Sequence, residues 1–269
     1  MKKIVLISNR DKDPGIKYIY KLEELLELRY NRWTETELDD YPDGILEHDD
    51  VELYIVLGGD GSIMRAAHIA AKKDVPILGI NFGRVGYMAE LEADELELID
   101  NYFSGNYTIE ERMMLDVTTD SGEEHLALND LVLSNGTVSK MITFSLFNKG
   151  EIIRTYNADG IIISTPTGST AYSMAAGGSI IDPSLDCIAA TPVCPHSFSA
   201  KPIIFSGDAQ LQIRNDTDRN IPVFITVDGG ENLEIKYNES VYIKRSCITT
   251  KLVRIKNESF YRTLSNKMK

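Results

Sequence analysis

The chain has 269 residues, 43% hydrophobic and 26% charged, enough for two modest domains with a buried core. Its net charge of −13 argues against nucleic acid as a partner, and no run approaches the roughly 20 apolar residues that would cross a bilayer, so no membrane role is expected. Cys187, Cys194 and Cys247 show no CxxC spacing, and His48, His68, His125 and His196 form no ligand pattern, which argues against a disulfide framework and a zinc site.

Lys3 to Ser8 reads as a first strand. The basic-then-apolar start is too short for a signal peptide and is broken by Arg10, Asp11, Lys12 and Asp13, so a cytoplasmic protein is expected. Pro14 to Arg29 predicts an amphipathic helix, and Glu35 to Glu52 follows with nine acids and no lysine or arginine. Val51 to Leu57 then predicts a buried strand, with Gly58, Gly59, Asp60, Gly61 and Ser62 directly after it and an Ala-rich helix over Ser62 to Lys73. Strand, glycine turn and helix together aim backbone N–H groups and a positive helix end at phosphate. Ser62 can cap the helix, and Arg65 can point at phosphate from its first turn, although a solvated surface arginine is the plainer reading. Asp60 is the odd member. A carboxylate beside phosphates costs electrostatic energy and is kept there to hold a metal or to take a proton, unless it only caps a tight βα turn.

Pro76 to Ile80 predicts another strand and Ala93 to Phe103 a helix. Residues 1–104 therefore read as an α/β domain with a mostly parallel sheet. Ligands in such sheets bind outside the carboxyl ends of the strands, where Gly58 to Gly61 and Asn81 to Gly86 fall. From about Asn106 the period changes. Met141 to Phe147, Ala209 to Arg214, Val223 to Val227, Leu233 to Tyr237 and Val241 to Lys244 predict a mainly β, sandwich-like domain over 105–249. Asp228 to Asn232 reads as a hairpin loop, and one helix is expected near Ala171 to Ala176. Glu258 to Met268 predicts a closing helix. Lys244 to Lys269 carries eight bases against Glu258 alone, opposite in sign to Glu35 to Glu52. The segment 250–269 is therefore expected to return to the first domain, with Phe260, Tyr261 and Leu264 buried there.

The densest chemistry lies in the second half. Asn157, Ala158, Asp159 and Gly160 lead into a strand of three isoleucines, which breaks into a Gly/Pro-punctuated turn with five Ser/Thr between Ser164 and Thr170. That order gathers a carboxylate, hydroxyls and backbone N–H groups along one buried edge.

These segments resemble the NAD kinase family over nearly the whole chain. Gly58-Gly59-Asp60-Gly61 is similar to its GGDG motif, Asn129-Asp130 to its NE/ND pair, and Asp159-Gly160 with Thr165 to Tyr172 to its DG…TPTGSTAY signature. Gly79-Ile80-Asn81 with Gly83 and Gly86, Thr191 to His196, Asp228-Gly229, and Phe260 to Leu264 also match. The resemblance implies an α/β domain followed by a β-sandwich domain, and transfer of the γ-phosphoryl group of ATP to the 2′-hydroxyl of the adenosine ribose of NAD. It makes Asp60 the general base and an NAD contact together with Gly61, with Gly58, Gly59, Gly61, Arg65 and Mg²⁺ or another divalent cation sharing the phosphate charge. It assigns Asn129 to the adenine or ribose, Asp130 to ribose hydroxyls and Asp159 to the nicotinamide carboxamide. Thr170, Ala171, Tyr172, Ser173 and Ala175 would line the pocket, with Lys140, Asn157 and Cys194 nearby. It also implies a homodimer or homotetramer. Asp130 stands where the family usually has Glu, Ala175 where Ser is common, Ser179 for a usual Pro and Gly230 for a frequent Gln. Another GGDG-type kinase, acting on lipid or sugar, and a non-catalytic NAD(P) sensor are the competing readings. There is no strand followed by GxGxxG and no GxxxxGK[ST], which argues against a Rossmann dehydrogenase and a P-loop enzyme.

Overall fold

Runs of β-branched and leucine residues covered on both faces make parallel strands, and the first part of the chain supplies three of them, over residues 3–8, 51–57 and 77–81. The structure is a computed structural model that describes residues 3–8, 17–29, 33–37, 50–81, 86–136, 140–218, 221–256 and 258–267. The chain divides into two units, Met1–Arg112 with Ile248–Lys269, and Met113–Cys247.

In the first unit, β1 (Lys3–Ser8) lies between β2 (Trp33–Glu37) and β3 (Val51–Leu57), and β3 pairs with β4 (Ile77–Asn81), all in parallel. The two-residue β5 (Leu91–Glu92) and Leu252 of a later strand also pair with β4 in parallel. On one face, Leu6, Ile55, Leu78 and Ile80 pack with Ile19, Leu22 and Leu26. Those last three lie on one side of helix α1 (Lys17–Arg29), as their three- and four-residue spacing dictates. Helix α2 (Asp60–Lys72) buries Ile63, Ala66, Ala67 and Ala70. Its Ile63 would clash with a Cβ at Gly79, so α2 packs directly on β4.

Two expectations change here. Strand β2 was not foreseen, because Thr and Glu alternate in it inside an acidic stretch that reads as solvated. The helix expected over Ala93 to Phe103 is a 3₁₀ turn, Leu96–Ile99, running into the four-residue α3 (Asp100–Phe103). The start of the Pro14 to Arg29 helix and Gly83 lie outside the described residues.

The second unit holds two antiparallel sheets. One orders β10 (Glu151–Ala158), β9 (Ile142–Asn148), β14 (Gln210–Asn215) and the start of β17 (Ser240–Arg254). The other orders β13 (Ile203–Ser206), β12 (Cys187–Val193), β11 (Gly160–Ser164), β8 (Asp130–Asn135), β15 (Val223–Val227) and β16 (Asn232–Glu234). Strand β6 (Thr108–Thr119) pairs with β7 (Glu124–Ala127). Phe144, Leu146 and Tyr156 of the first sheet meet Leu131, Leu133, Ile161, Ile163 and Ile225 of the second in one core, the packing of a β-sandwich.

The expected hairpin loop runs from Asp228 to Glu231 between β15 and β16, with Asn232 already paired in β16, and is closed by a bond from Gly230 N–H to Val227 O of 2.9 Å. The helix expected near Ala171 to Ala176 is α4 (Tyr172–Ala175). The closing helix is α5 (Phe260–Lys267), and it belongs to the first unit. It buries no residue fully, and Tyr261 is 62% exposed, so the expected burial of its aromatic residues is only partial. Among the described residues no helix is long and apolar enough to cross a membrane.

Candidate active site

The glycine turn of the first unit places Asp60 at the first position of α2, immediately after the N-cap residue Gly59. Ser62 is therefore inside the helix and buried, and it does not cap it; the cap carries no side-chain hydrogen bond at all. Gly58 donates its N–H to Ile80 O at 2.8 Å and is committed to the sheet. A Cβ at Gly59 or Gly61 would meet nothing within 4 Å, so those two glycines present the open side of the turn. Arg65 is half-buried on α2.

Both oxygens of Asp60 accept backbone N–H groups, Oδ2 from Tyr87 at 2.8 Å and Oδ1 from Met88 at 3.0 Å. A Cβ at Gly86 would stand 2.1 Å from Asp60 Oδ1, so only glycine lets this segment close on the carboxylate. Ionic contacts hold the same segment from behind. Glu90, 8% exposed, accepts the N–H groups of Ile255 and Lys256 and pairs with Arg254 at 3.2 Å. Arg254 also pairs with Glu110, which binds the buried Arg112 at 2.9 Å. A cavity of about 340 Å³ opens against the segment that clamps Asp60, lined by Gly86, Tyr87, Glu110, Arg112, Arg254 and Phe260 among others. No sequence signal marked this charge network, since its members lie up to 164 residues apart.

In the second unit the carboxylate of Asp228 is the organising group. It accepts the N–H groups of Leu128, Asn129 and Asp130 at 2.7, 2.8 and 2.9 Å. The hydroxyl-rich turn locks onto the same segment. Thr165 Oγ1 donates to Leu128 O at 2.6 Å and accepts from Gly168 N–H at 3.0 Å. Gly168 lies so close that a Cβ there would be 2.0 Å from Asn129 O. Asn129, Asp130, Asp228 and the turn from Thr165 thus converge. Of the stretch beyond, Thr170 and Ala171 are half-buried and Tyr172 and Ala175 are exposed. Ser173 is turned inward: fully buried, it bonds Thr191 Oγ1 at 3.0 Å, so its hydroxyl does not line a surface.

Asp159 does not join that cluster. It precedes β11, whose register pairs Gly160 with Ser134 and Ser164 with Asp130. The five residues of β11 therefore separate Asp159 from Asp130 by roughly 15 Å at about 3.3 Å per residue. At the Asp159 end lie Val193, which takes its N–H, and Asn135, whose amide bonds Lys140 O at 2.5 Å. Exposed Asn157 and Cys194 are beside the same end in sequence and pairing. Within the second unit, the carboxylates predicted from the sequence thus fall at two ends of one strand, Asp130 at one and Asp159 at the other.

Burial, with the Asp228 carboxylate beside it, pushes the Asp130 carboxyl up from 3.8 to about 7. The native state then holds a proton that the unfolded chain releases between about pH 4 and 7. The contribution of this site to stability is accordingly greatest below pH 4. It falls by about 1.4 kcal/mol for each pH unit from there until the folded protein also loses the proton, near pH 7. Asp130→Asn removes the titration. Urea unfolding at pH 5, 6, 7 and 8 should show a flatter dependence than the parent and a gain in relative stability above pH 7; an unchanged slope would refute the assignment.

The chain matches the ATP-NAD kinase N-terminal domain over residues 10–107 and the ATP-NAD kinase C-terminal domain over residues 128–255. An NAD kinase from Lachnoclostridium phytofermentans is 39% identical over 281 residues, covering 99% of each chain. One from Natranaerobius thermophilus is 40% identical over 222 residues, 81% of this chain and 77% of its own. Among solved structures, an NAD kinase from Archaeoglobus fulgidus in complex with ATP superposes with a TM-score of 0.77 at 25% identity, covering 98% of both chains. A yeast NADH kinase complexed with NADH has the same fold, with a TM-score of 0.85 at 22% identity over 99% of this chain and 87% of its own. A glycine turn open on one side with a clamped carboxylate beside it, on an α/β and β-sandwich chain related to these enzymes, defines a kinase. The chain belongs to the NAD kinase family.

Proposed function

We propose that this protein transfers the γ-phosphoryl group of ATP to the 2′-hydroxyl of the adenosine ribose of NAD, giving NADP and ADP. The observation that carries this reading is the Asp60 carboxylate, fixed at the start of α2 beside an open glycine turn, in a chain related to NAD kinases along its length. A ribose hydroxyl is a poor nucleophile until its proton is taken, and Asp60 is the proposed acceptor. A carboxylate has about four lone-pair positions. The Tyr87 and Met88 N–H groups occupy two, so capacity for a substrate hydroxyl remains. Gly59 and Gly61 would approach the phosphates, with Arg65 on the same helix. Asn129 and Asp130 would hold the ribose and adenine, with Thr170, Ala171, Tyr172 and Ala175 as the neighbouring wall. Asp159 lies a strand's length away and would act on a different part of the dinucleotide.

Among the described residues no three His, Cys, Asp or Glu side chains converge on a metal position. A divalent cation would therefore come with ATP, since Mg²⁺ uses substrate phosphates and water more than a protein cage. It would neutralise phosphate charge there. Incubating the protein with Mg²⁺ and every pairing of NAD or NADH with ATP or polyphosphate tests the proposal directly. NADP formation from NAD and ATP is expected; no NADP or NADPH in any pairing would overturn it.

A further inference from the structure

We propose that Lys267 on α5 is a positioning residue for Asp60, its ammonium forming the cationic wall against which that carboxylate is oriented. This rests on the reading of Asp60 as the base. Lys267 Nζ stands 3.9 Å from Asp60 Oδ2 and 3.7 Å from the centre of the Tyr87 ring. The same Oδ2 takes the Tyr87 N–H, so one residue presents its backbone to the carboxylate and its ring to the cation. Phe260, seven residues earlier and on the same side of α5, packs against Tyr87 with ring centres 6.0 Å apart. The aromatic pair sets where the helix lies, and Lys267, in its last turn, is delivered to Asp60.

The charge balance makes Lys267 the relevant cation. Arg112 also feels the Asp60 charge but spends its guanidinium on Glu110 at 2.9 Å. Lys267 has Asp60 as its ion-pair partner. Partial burial disfavours the charged ammonium, and the Asp60 carboxylate opposes that effect. A cation over an aromatic face at a helix C-terminus is itself a favourable placement. The Lys267 side chain is 26% exposed and that of Asp60 32%, so the pair is screened in part, and its effect is on direction more than on fold stability.

Lys267→Met keeps a stem over Tyr87 and removes the charge. We expect kcat to fall roughly tenfold, about 1.4 kcal/mol of barrier, with KM for NAD and ATP within about twofold and an unchanged melting temperature. Lys267→Arg should restore most of the rate. In an Asp60→Asn background the Met substitution should add nothing, as expected for two groups acting as a unit. A Met variant with parental kcat, a failure of Arg to rescue, or equal losses in both backgrounds would overturn the proposal. If Asp60→Asn alone turns over near normally, the base assignment falls and this inference with it. If that variant is slow and Lys267→Met is not, only the role of Lys267 falls.

Discussion

Asp60→Asn should lower turnover by roughly 10²–10⁴-fold, the usual worth of a positioned general base. The structure adds a control. Both carboxylate oxygens accept backbone N–H groups, whereas an asparagine offers one oxygen and one NH₂. One of the two bonds must be lost, so the segment from Gly86 to Met88 loosens as well, at about 1–3 kcal/mol. Unfolding and kinetics measured together separate the two effects. A base gives a rate loss that persists at temperatures well below the shifted melting point, with NAD binding retained by calorimetry. An Asn variant that turns over normally while its stability drops would make Asp60 a clamp and nothing more.

Asp228→Ala carries the largest expected cost to stability. Three N–H groups at 2.7–2.9 Å lose a charged acceptor at once, and Leu128 is fully buried. Bonds to a charged group contribute roughly 1.5–3 kcal/mol each. They share one carboxylate and so do not add, and water can reach the half-exposed Asn129. A net loss of roughly 3–5 kcal/mol is the balance of these effects. Urea unfolding should show the midpoint falling with an unchanged slope, and a loss under about 1 kcal/mol would mean that the loop finds other acceptors. The Asp130 carboxyl should also titrate at lower pH in this variant, because a like charge beside it is gone.

How much of this was legible in the sequence depends on the range of the contacts. The turn at Gly58 to Asp60 and the turn from Thr165 announce themselves through local chemistry, glycine next to a buried strand and hydroxyls next to proline. Both lie at strand ends in the structure, as those signals require. What stayed hidden is set by partners far along the chain. Asp228 reads as an ordinary hairpin residue until β15 brings it to Asn129, about a hundred residues earlier. Glu90, Glu110 and Arg254 look like solvated charges until the segment before β5 meets β6 and the end of β17. The place of Asp159 was hidden for another reason: it lies close to Thr165 in sequence, but a fully buried strand carries the chain from one end of the sheet to the other between them. Tyr261 shows that aromatic content alone does not predict burial, and Ser173 that a hydroxyl in a motif can serve the interior.

The first unit is discontinuous, with residues 113–247 inserted between its two parts, and this bears on how the protein is made. Synthesis at roughly 5–20 residues per second delivers the whole second unit before residues 248–269 leave the ribosome. The sandwich therefore has all its strands while β4 still lacks its Leu252 partner and Glu90 still lacks Arg254 and the amides of Ile255 and Lys256. The buried Glu90 carboxylate disfavours closure of the first unit until its cation arrives. Vectorial synthesis thus orders assembly, inserted unit before host, and Asp60 meets Lys267 only in the last stage.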